Sequence, residues 1–199
     1  MIKGIIFDLD GTLVKLPIRY DEIQKNLKSL FNTSEEFKPL ISSIILKSKK
    51  NEELTNQAFD VICKEEIIAT SNLEIIPDAI DILNFFKQNN YSLGLVTMQC
   101  RKAVKTIFLK IKIYENIFSN IITRDEFHDR FAQIKNMIEF FAFSPSEVLM
   151  IGDRIHDIDS AKKAGCMGIL CNKEKIGKYS EAKVISSLSE LKATQLYLN

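Results

Sequence analysis

Phe7-Asp8-Leu9-Asp10-Gly11-Thr12-Leu13, entered from the apolar run Ile5-Ile6, is the stretch on which the reading of this chain turns. Lys3 to Asp8 is a short, β-branched run that ends in an acidic, glycine-containing turn, as expected of a strand buried on both faces of a parallel sheet. Asp8 and Asp10 are spaced by one residue, so alternation along an extended chain sends both carboxylates to the same side. Two like charges that close are unfavourable unless a cation, or a proton held by one of them, relieves the repulsion. An isolated Asp-x-Asp is an ordinary strand-end turn, so its meaning depends on the rest of the chain.

Outward from this stretch the design repeats. Ser92 to Thr97 and Glu147 to Asp153 are again apolar runs that end in polar residues, and Met167 to Asn172, Lys183 to Ser187 and Ile121 to Thr123 read as further strands. Ala79, Ile82, Leu83 and Phe86 fall at i, i+3, i+4 and i+7, and Ile134, Met137, Ile138 and Phe141 repeat that spacing, which predicts helices packed on a sheet. Strand and helix alternate, which implies an α/β fold. Between Leu16 and Glu74 the strand signals vanish and helical stripes continue, through Ile23, Leu27, Leu30 and Phe31, then Phe37, Leu40, Ile41 and Ile44, then Leu54, Ala58, Val61 and Ile62. The expected organisation is a core formed by 1–15 and 75–199, with 16–74 as an inserted helical unit. Thr33 and Glu36 have capping-box spacing for the second inserted helix, while Pro39 is the alternative mark of its first turn.

Composition narrows the function classes. The chain has 199 residues and 46% hydrophobic content, enough to bury a core as one domain with a modest insertion. Lys and Arg total 27 against 26 for Asp and Glu, so the net charge of +1 provides no overall field for nucleic acid or an acidic membrane. Lys47 to Lys50 is a dense basic cluster, but Glu52 and Glu53 follow at once, as on a solvated helix end. The apolar run before Asp8 is too short for a signal segment or a membrane span. Cys63, Cys100, Cys166 and Cys171 form no Cys-x-x-Cys pair, and the reading is of free, reduced thiols in a cytoplasmic protein.

Taken whole, DLDGTL at 8–13 resembles the first motif of the haloacid dehalogenase superfamily, and the later strands end in the residues that this family pattern requires, in the same order. The resemblance implies a Rossmann-like three-layer core with a parallel sheet and a small inserted helical cap, as in phosphoglycolate phosphatase-like members. It implies that Asp8 is the nucleophile, forming an aspartyl-phosphate, and that Asp10 handles protons. Thr97 looks like the second motif, whose hydroxyl donates to the transferring phosphoryl group; it is equally placed to cap a helix from Gln99 to Leu109. The family often has Asn next, where this chain has Met98. Gly152-Asp153-Arg154-Ile155-His156-Asp157 is similar to the fourth motif, GDxxxD. By that likeness Asp153 is a direct Mg2+ ligand, Asp157 orients the metal or its waters, and Asp8 and Asp10 complete an oxygen-rich shell, Asp10 through its carbonyl. Asp159 reads as a helix-start residue, and His156 and His128 as packing or surface residues.

The third motif departs from the family pattern. No Lys-Pro signature is present, and Arg130 is the candidate for the missing cation, placed before the amphipathic stretch and able to grip phosphate oxygens bidentately. Lys135 and Arg124 are its competitors. The resemblance thus implies a Mg2+-dependent phosphatase acting on a small phosphorylated metabolite such as phosphoglycolate, as a monomer or homodimer, with the cap choosing the substrate. Two alternatives share the core: a phosphomutase or phosphotransferase, and a binding or regulatory protein that has lost turnover.

Overall fold

The structure is a computed structural model that describes residues 1–172, 174 and 183–194. Among these residues six parallel strands form one sheet: β1 (Gly4–Phe7), β4 (Ser92–Val96), β5 (Asn120–Ile122), β6 (Val148–Gly152), β7 (Met167–Cys171) and β8 (Lys183–Ile185), in the order β5-β4-β1-β6-β7-β8. A second ribbon pairs β2 (Val14–Lys15) antiparallel with β3 (Glu74–Ile75). β1 is central and all four of its residues are buried, which explains its unbroken apolar character.

Alternation along β1 divides the core. Ile5 and Phe7 face one layer with Leu93, Leu95, Leu149 and Ile151, covered by α4 (Ala79–Gln88), α5 (Arg101–Ile111) and α8 (Glu190–Thr194). Ile6 faces the other layer with Val96, Val148 and Met150, covered by α6 (Arg130–Phe141) and α7 (Ile155–Lys163). The buried residues of α4 are Ala79, Ile82, Leu83 and Phe86, and Ile134, Met137, Ile138 and Phe141 of α6 are likewise buried. Each fully buried side chain of this kind contributes roughly 1.5–3 kcal/mol. The result is the expected α/β three-layer core.

Val14–Lys15 and Glu74–Ile75 carry the chain out of the core and back. Between them lie α1 (Tyr20–Leu30), α2 (Leu40–Lys47) and α3 (Glu52–Ala69), which gather a separate apolar cluster from Ile23, Leu27, Phe37, Ile44, Ala58 and Ile62. Thr33 and Glu36 do not cap the second helix. Thr33 Oγ1 accepts from the Glu35 N–H at 3.2 Å, Glu36 pairs with Lys28, and α2 begins after Pro39 because a residue before proline resists helical geometry. Phe37 therefore precedes the helix. Gln24 fixes it there by bonding both its N–H and its carbonyl at 3.0 Å, and its ring packs on Phe31.

The cysteine reading is corrected. Cys63 of α3 and Cys100, the N-cap of α5, are joined by a disulfide, while Cys166 and Cys171 are free. A sequence separation of 37 residues concealed the pair, which meets only because α3 lies across the start of α5. No described helix is long and apolar enough to cross a membrane.

Candidate active site

Parallel register builds the site. Phe7 pairs with Leu95 on one side and Ile151 on the other, so the next residues of all three strands emerge level at one sheet edge. The Asp8 N–H continues the ladder onto Ile151 O at 2.9 Å, and the Thr97 N–H does the same onto Ile122 O at 3.0 Å. Asp8 follows Phe7 and so turns to the Ile6 face of the sheet, where α6 begins.

There it meets Arg130. One guanidinium nitrogen donates to Asp8 Oδ1 at 2.5 Å, and Nε lies 2.9 Å from Asp157 Oδ1, off the N–H axis and thus a charge contact rather than a hydrogen bond. Asp8, Arg130 and Asp157 are all buried. Arg130 is the first residue of α6, where the helix dipole disfavours a cation, and the two carboxylates outweigh that. The competitors have other partners: Arg124, although it lines the same cavity, pairs with Glu66 of α3 at 2.6 Å, and Lys135 is exposed beside Glu139.

Asp8, Asp153 and Asp157 offer oxygens that all lie within 4.8 Å of one another. Two glycines permit this crowding. A β-carbon on Gly11, whose φ is +92°, would come 2.4 Å from Asp153 Cγ, and one on Gly152 would come 2.4 Å from Asp157 Oδ2. Asp10 does not join the cluster through its side chain. β1 ends at Phe7, the chain turns, and Asp10 Oδ1 accepts the Leu16 N–H at 2.9 Å, although Asp8 and Asp10 line the same cavity.

Burial raises the Asp8 carboxyl to about 7; Arg130 opposes the rise, and Asp157 and Asp153 add to it. Asp10 is also raised by burial, against the pull of the Leu16 N–H and Arg154. Asp153 is raised by burial too, with Arg154 opposing and Asp157 and Asp10 adding. Burial works against the charge of Arg130, yet Asp8 and Asp157 prevail and hold it upward. When all are ionised, Asp8, Asp10, Asp153 and Asp157 exceed the guanidiniums of Arg130 and Arg154 by two negative charges. Asp153 Oδ1 is buried and accepts no hydrogen bond, which is costly unless a cation occupies that direction. A crowded, all-oxygen donor set with that imbalance and one open acceptor fits a hard divalent cation such as Mg2+.

Thr97 stands at the carboxyl end of β4 and is fully buried, but its hydroxyl donates to Gln99 Oε1. It is not a helix cap, because α5 starts two residues later than expected and Cys100 caps it by accepting the Ala103 N–H. Asp159 likewise does not start a helix; it lies within α7, which begins at Ile155.

Sequence reasoning missed three residues. Gln133 accepts from Arg130 at 3.1 Å and donates to the Thr97 and Phe127 carbonyls at 2.8 and 3.0 Å, so it ties the guanidinium to the end of β4. Its signal was present: a polar residue three after Arg130, one before Ile134 on the buried stripe. Tyr20 and Arg154 line the cavity from opposite sides and contact each other, Tyr20 from α1 and Arg154 from the turn before α7. The cavity holds about 480 Å3, floored by the sheet edge and roofed by Ile18, Ile23, Leu40, Ile41 and Ile62 of the insert. His128 and His156 also border it, His128 with its ring against Phe59.

The chain resembles known proteins in sequence and in fold. The chain is 28% identical over 174 residues to the uncharacterized hydrolase YOR131C of Saccharomyces cerevisiae, covering 85% of this chain and 77% of that one. It is 27% identical over 177 residues to the pyrophosphatase PpaX of Oceanobacillus iheyensis, covering 82% and 80%. Its fold matches the haloacid dehalogenase-like family protein SP0104 of Streptococcus pneumoniae with a TM-score of 0.71 at 19% identity, covering 98% of each chain. Residues 5–171 match the family model of haloacid dehalogenase-like hydrolases, and on that match the chain belongs to this hydrolase family.

Proposed function

We propose that this protein is a Mg2+-dependent phosphatase that hydrolyses a small phosphate monoester through an aspartyl-phosphate on Asp8. The observation that carries the reading is the Asp8–Arg130 contact at 2.5 Å beside the unpaired Asp153 oxygen. A nucleophilic carboxylate, a fixed guanidinium and a carboxylate cluster suited to a cation together meet the needs of phosphoryl transfer, which is mostly positioning and charge neutralisation.

Asp8, Asp153 and Asp157, with the Asp10 carbonyl, are the groups proposed to hold the ion. When bound, it supplies charge neutralisation that lets the anionic nucleophile and the phosphoryl group approach. The Asp8 carboxylate attacks phosphorus, forming an O–P bond as the ester O–P bond breaks. Arg130 takes up charge on the equatorial oxygens, and Gln133 keeps it aimed. Asp10, protonated more readily than an ordinary aspartate because it is buried, gives its proton to the leaving oxygen, then takes one from the water that opens the acyl-phosphate. Thr97 would contribute its hydroxyl once Gln99 releases it.

Residues 16–74 are proposed to act as the cap. Their apolar roof over the cavity, with Tyr20 reaching Arg154, supports substrate selection by the insert rather than by the sheet edge. PpaX, one of the relatives, is a pyrophosphatase, and pyrophosphate belongs in the panel beside phosphoglycolate. The apolar walls favour an ester with a carbon skeleton. The deciding assay measures phosphate release from such a panel and from p-nitrophenyl phosphate, with Mg2+ and with EDTA. Hydrolysis that requires Mg2+ and is lost in Asp8→Asn is expected; Mg2+-dependent turnover by Asp8→Asn at the wild-type rate would overturn the mechanism.

A further inference from the structure

We propose that the Cys63–Cys100 disulfide is a reversible oxidative modification site, formed and broken by low-molecular-weight disulfides and thiols, that latches the helical insert to the core. Cys63 lies in α3 of the insert, and Cys100 closes the segment Thr97-Met98-Gln99 that leaves β4 beside the candidate nucleophile. Their Cα atoms are 5.7 Å apart, within the range a disulfide spans without moving backbone. The bond therefore joins the two bodies whose separation would open the cavity, at the seam between them.

A second contact meets the first. Glu66, one turn beyond Cys63 on α3, accepts the Cys100 N–H at 2.9 Å and two bonds from Arg124, at 2.6 and 3.1 Å. Arg124 in turn donates to the Met98 carbonyl at 2.6 Å. This polar clasp holds Cys63 and Cys100 in register when the sulfurs are reduced, so the latch can re-form without a search. The ion pair alone is reversible, whereas the covalent bond is not broken by thermal motion.

Access is provided. Both cysteines line a surface groove of about 710 Å3, separate from the cavity over Asp8 although the two share His128. That is ample for a tripeptide-sized disulfide. Cys100 sits at the N-terminus of the eleven-residue α5, where a thiolate is favoured. In the forward step it attacks one sulfur of the small disulfide and expels one thiolate, leaving a mixed disulfide. Cys63 thiolate then attacks Cys100 sulfur, the mixed S–S bond breaks, and a second small thiolate leaves. The two protons given up by the cysteines end on the two small thiols, and two electrons pass from the protein to the small disulfide. Cys166 and Cys171 are free thiols, pushed up to about 11 by burial.

The test treats the full-length protein with glutathione disulfide or with dithiothreitol, then counts free thiols by alkylation and intact mass, and follows amide hydrogen exchange across residues 20–69. Oxidation should remove two of the four thiols. Exchange in α1–α3 should be slower in the oxidised form by at least about fivefold, the low end of coupling between sites. Cys63→Ser should exchange like the reduced protein under both conditions. If that variant does not fold, the reduced wild type provides the same comparison. Four free thiols after oxidant, or equal exchange in the two states, overturns the proposal. Neither readout requires phosphatase activity, so the latch can fail while the proposed reaction stands, and the reverse.

Discussion

Replacing the nucleophile should abolish turnover and yet, above neutral pH, make the metal-free protein more stable. Burial lifts the Asp8 carboxyl from 3.8 to about 7. A raised folded pKa favours the fold while the group is protonated, and that contribution is lost as pH climbs from the unfolded value to the folded one. For Asp8 the window runs from 3.8 to about 7. A rise of about three units corresponds to about 4 kcal/mol at 1.36 kcal/mol per unit. Asp8→Asn keeps the shape without the charge, and the weakened bond to Arg130 returns about 2 kcal/mol of that gain. The net expectation is a variant about 2 kcal/mol more stable than wild type at pH 8 in EDTA, with the advantage gone at pH 5. Urea unfolding followed by circular dichroism measures it; with a slope of about 2 kcal/mol/M the midpoint should rise by about 1 M at pH 8. Excess Mg2+ should close the gap, because the wild-type carboxylate gains a partner. A variant that is less stable than wild type at pH 8 in EDTA, or a difference that ignores pH, would refute the view that burial strains the Asp8 charge.

Further outcomes follow from the same geometry. Arg130→Met should lower kcat/KM on p-nitrophenyl phosphate by about 10²–10³, as for loss of one charge-stabilising donor, and Arg130→Lys should recover only part of it; equal loss in both would point to a packing role. Gln133→Leu should reduce kcat by about tenfold while leaving the fold intact, because Arg130 keeps its charge and loses its aim. Asp10→Ala should slow turnover by about 10²–10⁴ and let a phosphorylated protein accumulate, visible as a mass increase by rapid-quench mass spectrometry. Asp153→Asn should weaken Mg2+ binding in calorimetry by about tenfold or more without disturbing the circular dichroism spectrum; unchanged Mg2+ affinity would remove Asp153 from the proposed ligand set.

Some of this was legible in the linear chain for local reasons. The β1 stretch, the end of β4 and the run into Gly152-Asp153 announce themselves because a strand buried on both faces admits almost nothing but apolar residues, so its polar end is conspicuous. The stripes of α4 and α6 follow from helical period against one sheet face, and their apolar members were read correctly, while the buried Gln133 of α6 was not. Helix boundaries were less legible. Phe37 carries the apolar spacing of α2 but belongs to the loop before it, since Pro39 delays the helix while Gln24 satisfies the loop backbone. The start of α5 was misjudged because Cys100, not Thr97, accepts the capping bond.

The sequence by itself determined the parallel α/β core, the run of helical stripes between its first strand and the rest, and the order in which Asp8, Thr97 and Asp153 follow apolar strands, with Asp10 and Asp157 close behind in the chain. These are properties of short windows, where burial and period leave their mark on neighbouring residues. Only the tertiary structure decided which cation meets Asp8, because Arg124, Arg130 and Lys135 are alike as letters and differ in what lies opposite them: Glu66, Asp8 and Glu139. The same holds for Gln133 beneath Arg130, for Tyr20 against Arg154, and for Cys63 bonded to Cys100. Each is a pairing between elements that are brought together by sheet register and helix packing, and no local pattern encodes the partner.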